Sequence, residues 1–450
     1  MNLVIVGVGK VGETLVANFI NENHDIVVVD VDSDKVQSVV NRYDVNGVTG
    51  GGLERSVLLD AGVDKADFVI ACTAQDEKNI LCCVLAKHLG AKSTIARVRD
   101  PEYFKEMDNM KADLGLDYFF NPELQTAKEI AQVLKFPSAK SVESFADGHA
   151  NMVEFDLLDG NPIIGKSLME ISKEYGNELL FAMIKRGEEV VIPRGDFVLN
   201  AGDSVYLIAS ETALANFTKK LQIFKRRSKS VFVIGGGKIA YYLAKELINL
   251  GVSVKIVEKN LTRANELSES LPSATVLLCD GTDQEALEEE KLKDSDACVT
   301  LTGMDEENVI ISLYAKEQGV HKVITKVDRP SVHNMVKQLG LDTVVSPRNV
   351  IANHIVRFVR AHQADTGNGI NTLYKLGDKA EALEFTVSDT FAKIDVPLKN
   401  LGVKRGILIG GIVRGNQFIL PSGETTLKNG DKVIVVTAIK QITELTQILK

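Results

Sequence analysis

Three glycines near the start of the chain have the spacing of a turn that binds a pyrophosphate. Gly7, Gly9 and Gly12 follow the apolar run 3–6 and precede an amphipathic segment, 13–21. In such a turn, backbone amides at the start of a helix can approach phosphate oxygens, because no side chain stands between them. The pattern predicts a strand, a tight turn and a helix that together hold the phosphates of a nucleotide.

An acidic residue follows at the position where a ribose is recognised. The next apolar run, 26–29, ends at Asp30, eighteen residues after Gly12. A carboxylate there can accept hydrogen bonds from the adenosine ribose, and it repels a 2′-phosphate. The residue therefore favours NAD(H) or an adenine nucleotide over NADP, with a solvated acid at a strand end as the alternative.

The same constellation recurs 228 residues further along the chain. Gly235 and Glu258 stand 228 residues after Gly7 and Asp30. Ala240 takes the place of the third glycine, a replacement that the fingerprint allows. A turn and an acid that recur at one offset indicate an internal duplication with two nucleotide clefts.

Short apolar runs alternate with amphipathic stretches in both halves. This alternation predicts a parallel sheet covered by helices, a doubly wound Rossmann-like α/β domain. After each domain's last strand a further helix is predicted, one opened by Pro122 and reaching about Leu134, the other following Pro347 and running from Val350 to about Val359. The predicted strands are residues 3–6, 26–29, 45–48, 67–72, 94–98 and 117–120, and then 231–234, 254–257, 275–278, 297–301, 323–327 and 343–345.

A small β-rich module follows each of these domains. Its turn residues also repeat, because Pro421 and Gly430 lie 228 residues after Pro193 and Gly202. The basic segment 224–230 favours a solvated linker, with a membrane or nucleic-acid patch as the alternative. We therefore predict Rossmann-like domains at 1–137 and 228–362, each followed by a small α+β domain, at 138–227 and 363–450.

Further residues at predicted strand ends could line the clefts. Gly50–Gly52 and Cys279–Gly281 follow the third strands, on the adenine side of the cleft in this fold, and an ordinary turn is the alternative. Thr73 and Thr302 follow the fourth strands, at the mouth where ligands bind. We expect these positions to face the nucleotide.

Charged residues near the fourth and fifth strands have two interpretations each. Arg97 and Lys326 follow fifth-strand apolar residues and could neutralise phosphates, or could be surface cations at a strand end. Asp76 and Asp305 stand before helical segments, and we predict that they cap those helices.

Residues that would carry out catalysis are not evident. A dehydrogenase needs a proton-transfer group beside the nicotinamide, yet the seven histidines share no placement between the halves. The sequence also lacks Gly-x-Ser-x-Gly, His-Glu-x-x-His and a Walker Gly-Lys-Ser/Thr. The pattern favours a sensor over an enzyme, with an NAD-dependent dehydrogenase of tandem Rossmann domains as the alternative.

Composition limits the class of protein. The 450 residues are 45% hydrophobic and 25% charged with a net charge of −9, which disfavours a nucleic-acid binder. No uncharged apolar stretch reaches the roughly 18 residues that span a bilayer, and the chain begins directly with a strand, unlike a signal peptide. Five cysteines in apolar segments favour reduced cytoplasmic thiols, and no Cys/His spacing suggests a metal site.

These motifs resemble the TrkA family, the peripheral NAD-binding regulatory subunits of Trk-type potassium uptake systems. The resemblance covers essentially the whole chain and rests on residues 7–12 with Asp30, 61–67, 73–79 and 95–103, and on the order of the domains. It implies two RCK/KTN nucleotide-binding domains, each followed by an RCK C-terminal domain.

The resemblance implies a cytoplasmic gating ring at the inner face of the cell membrane. In this family a homotetramer binds NAD(H) and ATP or ADP and acts on a membrane potassium-translocating subunit of the TrkH/TrkG type. The nucleotide contacts that it implies are Gly7, Val8, Gly9, Lys10, Val11, Asp30, Gly51, Cys72, Thr73 and Arg97, and then Gly235, Gly236, Gly237, Lys238, Ile239, Glu258, Cys279 and Asp280. The second half departs from the family pattern at Ala240 and Lys326.

Two other interpretations are weaker. One is the cytosolic domain of a potassium channel or antiporter, which the start at Met1 and the lack of a spanning segment disfavour. The other is a scaffold with degenerate pockets, which Asp30 and Glu258 disfavour.

Overall fold

The structure is a computed structural model that describes residues 1–20, 22, 24–136, 138–221, 228–341, 343–361, 369–376, 380–439 and 442–450. The chain forms two compact units, residues 1–127 with 345–356, and residues 128–344 with 357–450. The predicted domain limits at 137/138, 227/228 and 362/363 involve residues outside the described ranges and stay predictions. Most of the basic segment 224–230 and the predicted helix end at Asn21 also lie outside the described residues.

The first Rossmann-like domain is a six-stranded parallel sheet with helices between its strands. Its strands are β1 (Asn2–Val6), β2 (Asp25–Asp30), β3 (Asn46–Thr49), β4 (Phe68–Ala71), β5 (Ser93–Arg97) and β6 (Tyr118–Phe120). Its helices are α1 (Lys10–Ile20), α2 (Ser33–Tyr43), α3 (Arg55–Asp60), α4 (Asp76–Leu89), α5 (Pro101–Met110) and α6 (Pro122–Lys135). The strand order β3-β2-β1-β4-β5-β6 brings the carboxyl ends of β1, β2 and β4 to one edge.

The first small module is a five-stranded antiparallel sheet with two helices. Its elements are β7 (Ser141–Phe145), β8 (Ala150–Asp156), α7 (Leu168–Tyr175), β9 (Leu180–Arg186), β10 (Glu189–Val191), β11 (Ser204–Ala209) and α8 (Glu211–Lys220). The order is β10-β9-β11-β8-β7. The sequence did not predict β7, because Ser141-Val-Glu-Ser-Phe145 has only two apolar residues, spaced too far apart for strict alternation.

The second half repeats the first domain element by element. Its strands are β12 (Ser230–Ile234), β13 (Ser253–Glu258), β14 (Thr275–Leu278), β15 (Ala297–Thr300), β16 (Lys322–Lys326) and β17 (Val344–Val345). Its helices are α9 (Lys238–Asn249), α10 (Leu261–Ser270), α11 (Gln284–Glu289), α12 (Asp305–Glu317), α13 (Pro330–Gln338) and α14 (Pro347–Ala361). The order β14-β13-β12-β15-β16-β17 is the same as in the first sheet.

The second small module repeats the first sheet. Its strands are β18 (Ile370–Leu376), β19 (Ala380–Thr386), β20 (Ile407–Arg414), β21 (Gln417–Ile419) and β22 (Lys432–Thr437). The order β18-β19-β22-β20-β21 is that of the first module read from its other edge. The modules differ at their ends, because α8 closes the first and a short 3-10 turn, Leu445–Ile448, lies near the end of the second.

Burial of the strands explains why their sequences are almost uniformly apolar. In β1, β2 and β4 the side chains of Val6, Val29 and Ala71 are at most 1% exposed, since helices cover both faces of a parallel sheet. In the second unit the two small sheets share one core that includes Met152 and Val436. Full burial of one large aliphatic side chain stabilises the fold by about 1.5–3 kcal/mol.

The duplicated Rossmann-like architecture predicted from the sequence is confirmed. Two helices begin three residues before their predicted starts: α1 at Lys10, because it follows the glycine turn without a linker, and α14 at Pro347. In the described part of the chain, each helix is too short or too polar to cross a lipid bilayer.

Candidate functional site

The first glycine turn is forced by close packing. Gly7 has φ +99°, and a Cβ added there would lie 2.8 Å from the backbone nitrogen of Thr73. A Cβ on Gly12 would lie 2.1 Å from the Gly7 carbonyl oxygen. A Cβ on Gly9, by contrast, would meet no atom within 4 Å. Two glycines therefore close the turn, and the third leaves the space through which a phosphate can approach.

Backbone amides of this turn are available to a phosphate. The first helical hydrogen bond of α1 runs from Glu13 N to Gly9 O, at 3.0 Å. The amides of Lys10, Val11 and Gly12 precede it and belong to the turn whose donors have no partner within the helix. They supply the partial positive charge of a helix N-terminus, which suits a pyrophosphate.

Asp30 is fixed against this turn. Its Oδ2 accepts a hydrogen bond from Val8 N at 2.7 Å, and its Oδ1 accepts one from Asp32 N at 3.0 Å. The carboxylate thus lies beside the phosphate-binding amides, at the carboxyl end of β2. This is the place where a ribose hydroxyl can reach it.

The glycines after the third strand are also explained by packing. A Cβ on Gly52 would lie 2.5 Å from Val6 Cγ1, and one on Gly281 would lie 2.3 Å from Ile234 Cγ2. Gly51 N donates to Glu54 Oε1 at 3.2 Å. These loops therefore cross close to the end of the first strand of each sheet, at the edge where the glycine turn lies.

A buried asparagine joins two strand ends in the first cleft. Asn79 is fully buried; its Oδ1 accepts from Thr73 N at 2.8 Å and from Thr73 Oγ1 at 2.7 Å, and its Nδ2 donates to Arg97 O at 3.0 Å. The sequence placed Asn79 one turn into a helix without a role. The structure shows that it fixes two predicted contact residues.

Cys72 is a packing residue of the same edge. Its thiol donates to the Gly7 carbonyl oxygen at 3.2 Å, and burial raises the pKa of the Cys72 thiol to about 12. The thiol therefore stays protonated and cannot act as a thiolate nucleophile near neutral pH.

The predicted capping roles of Asp76 and Asp305 are wrong. Asp76 Oδ2 accepts from Arg99 N and Asp100 N, both at 2.8 Å, and Asp305 accepts from the amides of Asp328 and Arg329. These carboxylates lie in the first turns of α4 and α12, and they bind the loop that follows the fifth strand. Local sequence could not show this, because the partners lie 23 and 24 residues away.

Arg97 is not a surface cation. Its Nε is buried and makes no hydrogen bond among the described residues. Burial lowers the pKa of Arg97, and the nearby Arg99 lowers it further, while Cys72, Glu123 and Asp76 act in the opposite direction. A half-buried guanidinium with an unused, buried Nε donor at this edge suits a ligand phosphate.

The second glycine turn has the same geometry. Gly235 has φ +103°, and its Cβ would lie 2.9 Å from the Leu301 carbonyl carbon, whereas a Cβ on Gly237 would meet no atom within 4 Å. Glu258 accepts from Gly236 N through Oε2 and from Asn260 N through Oε1, both at 2.8 Å. Lys238 and Ile239 open α9 as Lys10 and Val11 open α1.

The far side of the second cleft repeats the asparagine, but its cation is bound by the protein. Asn308 accepts from Thr302 N at 2.8 Å and donates to Lys326 O at 3.1 Å. The Lys326 ammonium donates to Thr302 O at 2.9 Å and lies 3.8 Å from an Asp328 carboxylate oxygen. Its charge is therefore already compensated by the protein.

Asp280 and Cys279 lie on the loop after β14. The Asp280 carboxylate accepts from Thr282 N at 2.9 Å and Thr282 Oγ1 at 2.8 Å, and these bonds lower the pKa of Asp280. Its side chain is thus directed to its own loop. Cys279 is half-buried, and burial followed by nearby acids raises the pKa of its thiol.

Both clefts contain groups that fit an adenine nucleotide. Each supplies backbone amides at a helix start, a ribose-accepting carboxylate and a cation on the fifth strand. Among the described residues, no group of three His, Cys, Asp or Glu side chains is placed to hold a metal ion.

Family models match both halves of the chain. A model described as the TrkA-N domain matches residues 3–122 and 231–347, and one described as the TrkA-C domain matches residues 152–222 and 383–450. The chain belongs to the TrkA family. The TrkA-N matches contain both glycine turns and both acids, so the duplication of the Rossmann-like domain predicted from the sequence is confirmed.

Curated relatives of this TrkA-family chain are similar over their full length. "Trk system potassium uptake protein TrkA homolog 2" of Methanosarcina mazei is 32% identical and covers 100% of both chains. "Trk system potassium uptake protein TrkA" of Vibrio alginolyticus is 29% identical over 98% of this chain and 96% of its own. The family is one of potassium uptake proteins and not of enzymes.

Solved structures show the same TrkA-type fold. The one described as "GsuK channel bound to NAD" has a TM-score of 0.63 at 18% identity and covers 97% of this chain and 76% of its own. "Crystal structure of the GsuK bound to ADP" has a TM-score of 0.52 at 15% identity and covers 81% and 70%. At these identities the likeness concerns the fold, so the individual nucleotide contacts stay predictions.

Proposed function

We propose that this protein is the nucleotide-sensing regulatory subunit of a Trk-type potassium uptake system. The observation that supports it most is the pair of clefts in which a carboxylate, Asp30 or Glu258, is bound to an amide of a glycine turn. Its partner is a membrane potassium-translocating subunit of the TrkH/TrkG type. The protein acts as a cytoplasmic homotetramer at the inner face of the cell membrane.

The regulatory ligands are NAD(H), with ATP and ADP as alternatives. All share the adenosine ribose that Asp30 and Glu258 can bind and the phosphates that a helix N-terminus attracts. The carboxylates disfavour NADP, because its 2′-phosphate would lie against a negative charge.

Regulation requires that a nucleotide binds one state of the ring more tightly than the other. A shift from about 1:99 to 99:1 needs about 5.5 kcal/mol of total preference. Couplings of about 1–3 kcal/mol per site are ordinary, so several clefts together can supply it. Phosphates contact the turn while adenine contacts the loop after the third strand, so different nucleotides can favour different separations of these parts.

Titration of the purified protein with NAD, NADH, ATP and ADP tests the ligand assignment. Asp30→Ala should remove binding at the first cleft and Glu258→Ala binding at the second, so that each variant loses about half of the binding sites. Wild-type binding stoichiometry in both variants would contradict the assignment.

Potassium flux into liposomes that carry the membrane subunit tests the regulatory role. We expect nucleotide-dependent flux only when this protein is added. The proposal is wrong if nucleotides bind but leave both flux and ring shape unchanged, or if the protein oxidises NADH with a hydroxy or keto acid.

A further inference from the structure

The two clefts differ in the state of the cation on the fifth strand. Arg97 in the first cleft has a buried Nε without a hydrogen-bond partner among the described residues. Burial removes hydration from this nitrogen, and no described residue accepts a hydrogen bond from it. A buried donor of this kind is unfavourable until an acceptor such as a phosphate oxygen reaches it.

The acids near Arg97 each bind elsewhere through one oxygen, whereas their second oxygens, Glu123 Oε2 and Asp76 Oδ1, are buried without a hydrogen-bond partner in the described part of the chain. Glu123 Oε1 accepts from Arg99 Nε at 2.6 Å, and Asp76 Oδ2 accepts from the amides of Arg99 and Asp100. Neither forms an ion pair with Arg97 among the described residues. These acids therefore weaken the field of Arg97 without binding its guanidinium.

Lys326 in the second cleft is in the opposite state. Its ammonium is 11% exposed as a side chain, donates to the Thr302 carbonyl oxygen and lies beside Asp328. A phosphate that approached it would have to replace a hydrogen bond that already exists. The gain on binding is accordingly smaller, because one favourable contact is exchanged for another.

A second cation of that cleft is also bound by the protein. Arg263 Nε donates to Gly236 O at 2.8 Å, and its Nη1 donates to Glu266 at 2.8 Å. The corresponding residue of the first cleft, Lys35, pairs with the exposed Asp32. The guanidinium of Arg263 thus supports the second turn and is partly neutralised before any ligand binds.

From this contrast, and resting on the proposed function, we infer that the two clefts take adenine nucleotides of different phosphate charge. The first cleft binds nucleotides with two or more phosphates, whose charge compensates the Arg97 guanidinium. The second cleft recognises the adenosine and first phosphate and gains little from further phosphates. The chain thereby responds to the number of phosphates on the nucleotide at the first cleft, and to the adenosine and its first phosphate at the second.

The affinity for AMP relative to ADP separates the two behaviours. A hydrogen-bonded contact between a buried guanidinium and a phosphate raises affinity by about tenfold to a hundredfold. We expect ADP to bind the first cleft at least about tenfold more tightly than AMP. At the second cleft we expect the two affinities to agree within about threefold, since the cation there is already hydrogen-bonded within the protein.

Each cleft can be studied alone in the full-length chain. Gly9 and Gly237 face open space, so Gly9→Leu and Gly237→Leu fill the phosphate approach without a clash with the protein. Calorimetric titrations of Gly237→Leu with AMP, ADP and ATP, in EDTA to exclude magnesium, report on the first cleft. The same titrations of Gly9→Leu report on the second.

Arg97→Met and Lys326→Met test the cause. In the Gly237→Leu background, Arg97→Met should reduce the ADP-to-AMP preference to that of the second cleft. In the Gly9→Leu background, Lys326→Met should change the preference by less than about threefold. Equal preferences in the two clefts, or an unchanged preference in Arg97→Met, would overturn the inference.

Thermal unfolding provides a readout that does not depend on a measurable affinity. Without ligand, Arg97→Met should melt at the wild-type temperature or above it, because a buried donor without a hydrogen-bond partner among the described residues is removed. Saturating ADP should raise the melting temperature of the wild type more than that of Arg97→Met. A melting temperature of ligand-free Arg97→Met well below wild type would contradict the inference, whereas absence of all nucleotide binding in wild type would contradict the proposed function itself.

Discussion

The first and second clefts have the same backbone frame and different electrostatics. In both, a glycine with φ near +100° closes the turn, an acid binds a turn amide, and a buried asparagine joins the fourth and fifth strands. They differ at the cation, because Arg97 Nε has no partner among the described residues and Lys326 donates to Thr302 O. Close approach between backbone segments fixes the geometry of the turn, whereas the cation at the end of the fifth strand can differ between the clefts.

The largest effect should come from the turns themselves. Gly7→Ala and Gly235→Ala place a Cβ within 2.8 and 2.9 Å of backbone atoms at a positive φ. The left-handed conformation costs about 1–2 kcal/mol and overpacking about 1–3 kcal/mol, so we expect a loss of about 2–5 kcal/mol in unfolding free energy. Urea unfolding followed by circular dichroism measures it.

Gly62→Ala is the matched control for these turns. It has φ +76° but no atom within 4 Å of its added Cβ, so only the conformational cost of about 1–2 kcal/mol applies. If Gly62→Ala and Gly7→Ala cost the same, close approach is not what makes the two turns alike.

The third glycine position is the next test, because here the turns differ. A Cβ on Gly12 would lie 2.1 Å from Gly7 O, whereas Ala240 carries its Cβ fully buried at the same position. Gly12→Ala should destabilise by about 1–3 kcal/mol and weaken nucleotide binding. Ala240→Gly should cost about 1 kcal/mol, the helix penalty of glycine, and leave binding unchanged. Urea unfolding and titration of both variants decide whether the first turn is really the tighter one.

A smaller effect should come from Asp305 in the second half of the chain, whose contribution to the free energy of unfolding depends on pH. Burial alone would raise the pKa of Asp305, but the amides of Asp328 and Arg329 and the Arg329 guanidinium outweigh it and hold the pKa below its usual value. A carboxylate whose pKa is lowered by folding stabilises the fold at pH values above its unfolded-state pKa. This stabilisation is lost as the pH falls through the folded-state pKa. Asp305→Asn should therefore cost about 1–2 kcal/mol at pH 7 and progressively less below about pH 4.

Urea unfolding at pH 7 and pH 3 measures this difference. As a control, Asp294→Asn removes the same charge from an exposed position. It should shift the free energy of unfolding by less than about 0.5 kcal/mol at either pH. A cost for Asp305→Asn that is the same at both pH values would show that the carboxylate charge is irrelevant.

The smallest effect is a difference in thiol labelling between the clefts. Cys72 beside the first turn is 3% exposed with its pKa raised by burial to about 12, whereas Cys279 beside the second is half-buried. Iodoacetamide at pH 8 should label Cys279 first, and saturating nucleotide should slow that reaction. Peptide mass spectrometry measures both rates, and equal labelling of the two cysteines would contradict the difference.

Much of the fold follows from patterns that are local in sequence. The strands of both sheets were predicted from short apolar runs, and Gly7 with Asp30 predicted a nucleotide cleft, because the fingerprint is contained in one βαβ unit. The strands β7 and β18 were not predicted. Their sequences have weak alternation, and they are strands because they pair with β8 and β19.

The contacts between residues at the ends of the fourth and fifth strands were not predictable in the same way. Asn79 and Asp76 have ordinary local explanations, yet the backbone groups that Asn79 Nδ2 and Asp76 Oδ2 bind after the fifth strand lie 18 to 24 residues away. Parallel strands bring such distant residues to one edge only after the sheet forms. Propensity and periodicity contain no information about which of these side chains then meet.

The duplicated architecture, the two glycine turns and their acids follow from local sequence, because each depends on neighbours within a single strand-turn-helix unit. The folded structure was needed to show that Asp76 and Asp305 bind distant amides, that Asn79 and Asn308 join strand ends, and that the two cations differ. The physical reason is that burial and hydrogen-bond partnership are properties of the assembled sheet edge. Whether a lysine or arginine side chain has a hydrogen-bond partner depends on the residues that the fold places around it.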